Sequence, residues 1–150
     1  MPGTLLAIHL RPGARIPVKK VTVARAVAGH GLDGDHANGG RRQITLHGVE
    51  AWRAACAEFG RDIDPAVRRA NLLVEGIDLA SCIGGAIAFG DVVVEVLGET
   101  RPCELMDDDG RLGLQQALRP QHRGGVHGRI VAGGELRVGM ACDKRKPLYR

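Results

Sequence analysis

Aromatic residues are almost missing from this 150-residue chain, which has only Trp52, Phe59, Phe89 and Tyr149. That scarcity argues against a nucleic-acid binder, because unpaired bases are held largely by stacking on aromatic faces. Long apolar runs are missing too. Stretches such as "AIAFGDVVVEVL" are broken by glycine and acid, and none reaches the roughly 20 residues of a bilayer-spanning helix. The start, "MPGTLLAIHLRPG", lacks a basic segment and a cleavage site, so no secretory signal is read there. Cysteine is sparse. Cys56, Cys82, Cys103 and Cys142 show no paired spacing, which points to reduced thiols and a cytoplasmic protein. No cysteine cluster suits an iron–sulfur centre. The histidines (His9, His30, His36, His47, His122 and His127) show no compact spacing with acids that would suit zinc.

What is present describes an ordinary globular chain. Apolar residues make up 44% and charged residues 25%, within the usual range. The length suits one domain, residues 1–150, large enough to bury about 68–70% of its unfolded surface without staples. The net charge is +4, and Arg supplies most of the 21 cations. A guanidinium fork suits phosphate or carboxylate, so the excess fits an anionic small-molecule partner, although a GC-rich genome produces the same bias. The terminal "DKRKPLYR" reads as a solvated tail.

Twenty-two glycines punctuate short apolar runs. Alternation predicts strands over 4–10, 19–27, 42–48 and 91–98, with further strands in "ANLLVEG" and "AIAFG". "VHGRIVAGGELRVGM" predicts a hairpin across Gly133–Gly134. Val49, Trp52, Cys56 and Phe59 share one face of a predicted helix ending at Gly60. Asp64 and Pro65 read as the cap and first residue of a short helix, and "LGLQQALRP" (112–120) as a helix ended by Pro120. Without regular βαβ alternation, the set predicts a mostly β domain with short helices at its edges, an antiparallel barrel or rolled sheet. "DDD" (107–109) reads as a solvated turn.

The cysteines separate by context. Cys56 lies on the apolar helix face, and Cys82 in "DLASCIGG" reads as core or loop packing. Cys142 follows the last strand, with nothing near it to activate a thiolate. Cys103, in "TRPCELM", differs: Pro102 fixes the backbone where the strand must stop, and Arg101 supplies a positive charge that favours a thiolate.

An ordered set of segments then resembles the MOSC domains, found at the C-terminus of molybdenum-cofactor sulfurases and in small stand-alone bacterial proteins. It comprises "GLDGDHA" (31–37), "RRQITLHGVEAW" (41–52), "RRANLLVEGIDL" (68–79), "IAFGDVVVEVLGETRPCELMD" (87–107) and "RGGVHGRIVAGGELRVGM" (123–140). It covers about residues 3–141 and leaves 142–150 as a tail. The resemblance implies a β-barrel with a functional cysteine at Cys103. It also implies cofactor contacts from Arg69 and Asn71 in "RRANLL". Arg101, Arg41 and Arg123 are added on chemistry as anion donors. Read locally, Arg69 is a cation at a helix end, and Asn71 is an amide opening an apolar strand, in need of partners or a ligand.

The resemblance implies a molybdenum-cofactor (molybdopterin) protein in which Cys103 ligates the metal, a reductase of N-hydroxylated or similar substrates with an outside electron donor. One alternative is a sulfur carrier holding a persulfide on Cys103, served by a sulfur-donor protein. Another is a non-catalytic module for an anionic ligand or partner. The pyridoxal-phosphate domain of the sulfurases has no counterpart in this sequence.

Overall fold

The computed structural model describes residues 2–146; residues 147–150, the end of the expected tail, lie outside the described residues. The strands are β1 (Gly3–Leu10), β2 (Lys19–Val21), β3 (Val23–Val27), β4 (Gly31–Leu32), β5 (Ile44–Gly48), β6 (Leu72–Glu75), β7 (Ala86–Phe89), β8 (Val92–Glu99), β9 (Val126–Ala132), β10 (Gly134–Arg137) and β11 (Ala141–Arg145). Helix α1 spans Val49–Phe59 and α2 spans Leu114–Leu118.

Seven strands close a barrel in the order β11-β7-β8-β9-β5-β6-β1, with β1 returning to β11 through Gly3 opposite Cys142 and Thr4 opposite Ala141. Strand β2 extends β1 beyond β11, and β10-β3-β4 form a separate small sheet. Alternation puts one row of each strand inside. Leu5, Ile8, Ile44, Leu46, Leu72, Val74, Ile87, Phe89, Val94 and Ile130 are buried together there. Ala7 and Leu73 face outward beneath Val49. Trp52, Cys56, Met106, Leu114 and Leu118 make a second cluster between α1 and α2.

Helix α1 ends as its sequence predicts: Gly60 is left-handed (φ 90°) and its N–H donates to Cys56 O at 2.8 Å. Strands β5 and β6 pair in parallel across α1, so one βαβ unit stands in an otherwise antiparallel barrel.

Four expectations are corrected. The predicted strand 19–27 breaks at Thr22, whose carbonyl accepts from Val138 N–H, and its halves join different sheets. The hairpin at Gly133–Gly134 does not form. Strand β9 pairs with β8 and β5 while β10 pairs with β3; Gly133 lets the chain cross there, since a side chain would meet Ala26 O at 2.6 Å. The helix predicted over 112–120 shortens to α2, entered from Gly113 at φ 102°, and Pro120 opens a 3-10 turn. Residues 142–145, expected in the tail, belong to β11 and close the barrel.

Candidate functional site

Cys103 sits where β8 leaves the barrel. Thr100 N–H donates to Gly125 O at 2.8 Å, which ties the exit of β8 to the entry of β9. Cys103 is extended (φ −110°, ψ 175°), and the chain then winds into a 3-10 turn, Glu104–Asp107. Met106 anchors this turn in the cluster under α2. Asp107 is more than a solvated turn residue: its Oδ1 accepts from Gly113 N–H and from Gln115 N–H at 2.8 Å.

Arg68 ends the short 3-10 segment Pro65–Arg68, which Asp64 starts by accepting from Ala66 N–H. It is buried, and it donates from Nε to Gly124 O and from Nη2 to Thr100 O, both at 2.9 Å. The guanidinium therefore clamps the two loops beside Cys103. Gly124 must stay bare, because a Cβ would fall on the Thr100 carbonyl oxygen. Burial pushes the Arg68 pKa down to about 10, against which the Cys103 charge acts favourably, so it remains a cation at neutral pH.

Arg69 turns through the left-handed region (φ 62°) and donates to the carbonyls of Ile16 and Gly13. Asn71 is fully buried. Its Nδ2 donates to His9 O and Asp35 Oδ1, both at 3.0 Å, while its Oδ1 accepts from Thr45 N–H, Thr45 Oγ1 and Arg11 Nη2. Arg11 also grips Asp35 with two nitrogens, at 3.2 and 3.0 Å. Burial alone would raise the Asp35 pKa, but these hydrogen bonds hold its carboxyl below the ordinary range.

A cleft of about 380 Å³ opens over these groups. Arg11, Arg42, Arg68, Arg69 and Arg101 line it with Cys103, Thr45 and Thr100. Among the described residues no acid and no Phe, Tyr or Trp lines it. Thr100 Oγ1 is buried without a hydrogen-bond partner. Cys103 is exposed, whereas Cys56, Cys82 and Cys142 are buried. Burial raises the Cys82 thiol and pushes Cys142 up to about 11, which keeps both protonated and unreactive.

The structure gathers Cys103, Arg69 and Arg101 on one cleft. Three other expected contacts differ. Asn71 has no hydrogen-bonding atom free to meet a ligand, because segments distant in sequence already use its amide. Arg123 turns away to pair with Glu58 and donate to Ala117 O at 3.0 Å, leaving its neighbour Gly124 on the cleft wall. Arg41 is exposed and does not line the cleft; Arg42 does. Sequence reasoning passed over Arg11, Arg42 and Arg68. The doubled arginines in "GGRRQITL" and "RRANLL" were the available signal. Strand parity could not choose within the first pair, because β5 begins only at Ile44.

A small closed β-barrel with one accessible thiol in an arginine-lined cleft is thus the class of protein that fold and site define. The family model for the MOSC domain matches residues 33–143, and the chain belongs to that family, which is associated with molybdenum-cofactor binding or sulfur transfer. Among solved structures, the YUAD protein from Bacillus subtilis superposes with a TM-score of 0.77 at 20% identity, covering 95% of this chain and 94% of that one. YiiM from Geobacillus stearothermophilus gives 0.75 at 17% identity over 94% and 74% of the two chains. YiiM from Escherichia coli gives 0.70 at 17% identity over 100% and 71%. At these identities the likeness is one of fold. No curated protein matches the chain.

Proposed function

We propose that this protein is a sulfur-handling domain in which Cys103 carries a sulfane sulfur as a persulfide, beside a cleft that binds an anion. The observation that carries this reading is the placement of the one exposed cysteine among five arginines. A persulfide carrier needs an accessible sulfur, and a cationic wall suits the anions that load and unload it. Three buried cysteines offer no resolving thiol, so a persulfide on Cys103 is protected from collapse into an internal disulfide. The reading places the protein in a reducing compartment, the cytoplasm, with a sulfur-accepting or redox protein as partner. It accounts for chemistry at Cys103 without a metal.

A second reading, a molybdenum cofactor held here, is favoured by Thr100 Oγ1, a buried hydroxyl without a partner on the cleft wall. The residues fit the two ends of such a group. Cys103 would supply the soft anionic ligand that molybdenum prefers, and Arg42, Arg68, Arg69 and Arg101 would hold a phosphate. The bound metal would supply two-electron redox chemistry toward an oxidised substrate. In either reading Arg68 keeps the Cys103 loop against Gly124, and Arg11 keeps Asp35 from opposing an anion.

Protein from a host that makes the cofactor separates the two. Sulfane sulfur released by reductant, and absent from Cys103→Ser, is the expected result. Molybdenum and pterin near one per chain would replace it with the second reading.

A further inference from the structure

The Cys103 cleft holds more positive charge than a lone thiolate requires. Arg11 is matched by Asp35, and exposed Arg101 has Glu99 only at 4.0 Å. Arg42, Arg68 and Arg69 have no carboxylate within ion-pair range among the described residues. Such a set suits a ligand with several negative oxygens, which the Arg42 fork can grip in a pair while Arg68 and Arg69, whose forks hold backbone carbonyls, add fixed positive charge. Apart from the exposed imidazole of His36, no ring on which a planar heterocycle could stack lines the cleft among the described residues. Thr100 Oγ1 adds an unused hydroxyl beside the arginines.

The wall also lacks the partners that most cysteine chemistry needs. Apart from the arginines and Cys103, His36 is the one titratable group lining it among the described residues, and it is exposed. It makes no hydrogen bond that would orient it as a general base. Acyl transfer and hydrolysis require a proton delivered to the leaving group. Thiolate attack on a sulfur atom whose leaving group departs as a stable anion requires none.

Resting on the sulfur-carrier reading, we infer that Cys103 is loaded from a small sulfur oxyanion that bears a sulfane sulfur, with thiosulfate as the type. The Cys103 thiolate attacks the outer sulfur of thiosulfate. The new Cys103 S–S bond forms as the S–S bond of thiosulfate breaks, and sulfite leaves with the electron pair. The products are a Cys103 persulfide anion and sulfite; charge is conserved, and no proton, oxidant or reductant is consumed. Arg42 grips the oxygens throughout while Arg68 and Arg69, fixed by their backbone carbonyls, add positive charge beside them, so the negative charge that grows on sulfite meets cations already in place. A nucleophile such as cyanide then takes the outer sulfur as thiocyanate and restores the thiolate.

The experiment incubates the full chain separately with thiosulfate and with inorganic polysulfide, which delivers sulfane sulfur without oxygens. Intact mass reads the gain of one sulfur, and thiocyanate formed on adding cyanide reads turnover. Loading and turnover from thiosulfate, abolished in Cys103→Ser, are expected. Arg42→Gln changes an exposed residue and leaves the Arg68 clamp intact. It is expected to lower the thiosulfate rate about tenfold, the effect of one charge-assisted hydrogen bond, and the polysulfide rate by less. Loading from polysulfide but not thiosulfate overturns the donor and leaves the carrier. Loading from neither overturns both. An equal loss with both donors in Arg42→Gln overturns the oxyanion role of the cleft.

Discussion

Asn71 joins four parts of the chain through one amide: His9 on β1, Asp35 in the glycine-rich loop, Thr45 on β5 and, through its oxygen, Arg11. Asn71→Ala strands several of these buried groups at once, each costing about 1–3 kcal/mol when unpaired. The expected loss is about 3 kcal/mol, read as a lower urea midpoint in the ligand-free protein. An unchanged midpoint would return Asn71 to a purely ligand-facing role. The sequence marked Asn71 as a polar residue in need of partners, and it was right to. It could not say which, because those partners stand 26 to 62 residues away and meet only when the barrel closes. Cys103 was legible because its signal is local, a proline and an arginine at a strand exit. His47 carries a second consequence at this scale. It is fully buried against Trp52, and neither ring nitrogen has a partner. Burial first, then the charge of Arg68, lowers its pKa from 6.5 to about 3. Between those values the unfolded chain binds a proton that the folded one refuses. The stability from neutral His47 is therefore full above pH 6.5 and falls by up to about 1.4 kcal/mol per pH unit below it. His9 and His127, both lowered by burial, act in the same direction. Urea midpoints measured from about pH 7.5 to 5 should decline, and His47→Leu should flatten that decline.

The junction between β8 and β9 is the element on which the site depends. Gly125 stands there at φ 93°, and an added Cβ would fall on the Leu46 carbonyl oxygen of β5. Its own carbonyl accepts from Thr100 N–H. Gly125→Ala thus combines a left-handed backbone penalty with a backbone clash. A cost of about 3 kcal/mol or more is expected, together with slower alkylation of Cys103 or a faster, unselective one. Native-like stability and unchanged Cys103 reactivity would show that the junction tolerates a shift. Elements with short-range signals were readable: α1 with its Gly60 stop, the Asp64–Pro65 entry, the alternating strands β1 and β8, and the short apolar run of β7. Pairing was not. "GGELRVGM" has the composition of a hairpin arm, yet β10 lies beside β3, more than a hundred residues earlier. Glycine permits a turn or a crossing equally well, and only the distant strand decides between them.

At the scale of the whole molecule, the barrel is closed by its own two extremities. The strand that opens the chain and the strand that ends its described part are neighbours, Gly3 facing Cys142. Most of the other pairings also join distant segments, the condition under which folding is slow. The β7–β8 hairpin and the β3–β4 and β1–β2 pairs are the local exceptions, and β5 reaches β6 across α1. Adjacent ends make the linear order of the chain partly arbitrary. A circular permutant, with residues 146 and 2 joined by a short glycine linker and new ends cut at Arg61 in the exposed stretch after α1, would keep every strand pair of the barrel. It would turn the β1–β11 seam into a local hairpin while making β5–β6 the distant pairing. If closing the seam limits the rate, this permutant refolds faster than the parent with the same final stability, as stopped-flow refolding from urea would show. Equal rates would show that the seam does not limit folding, and the chain would then be a ring in all but its covalent bonds.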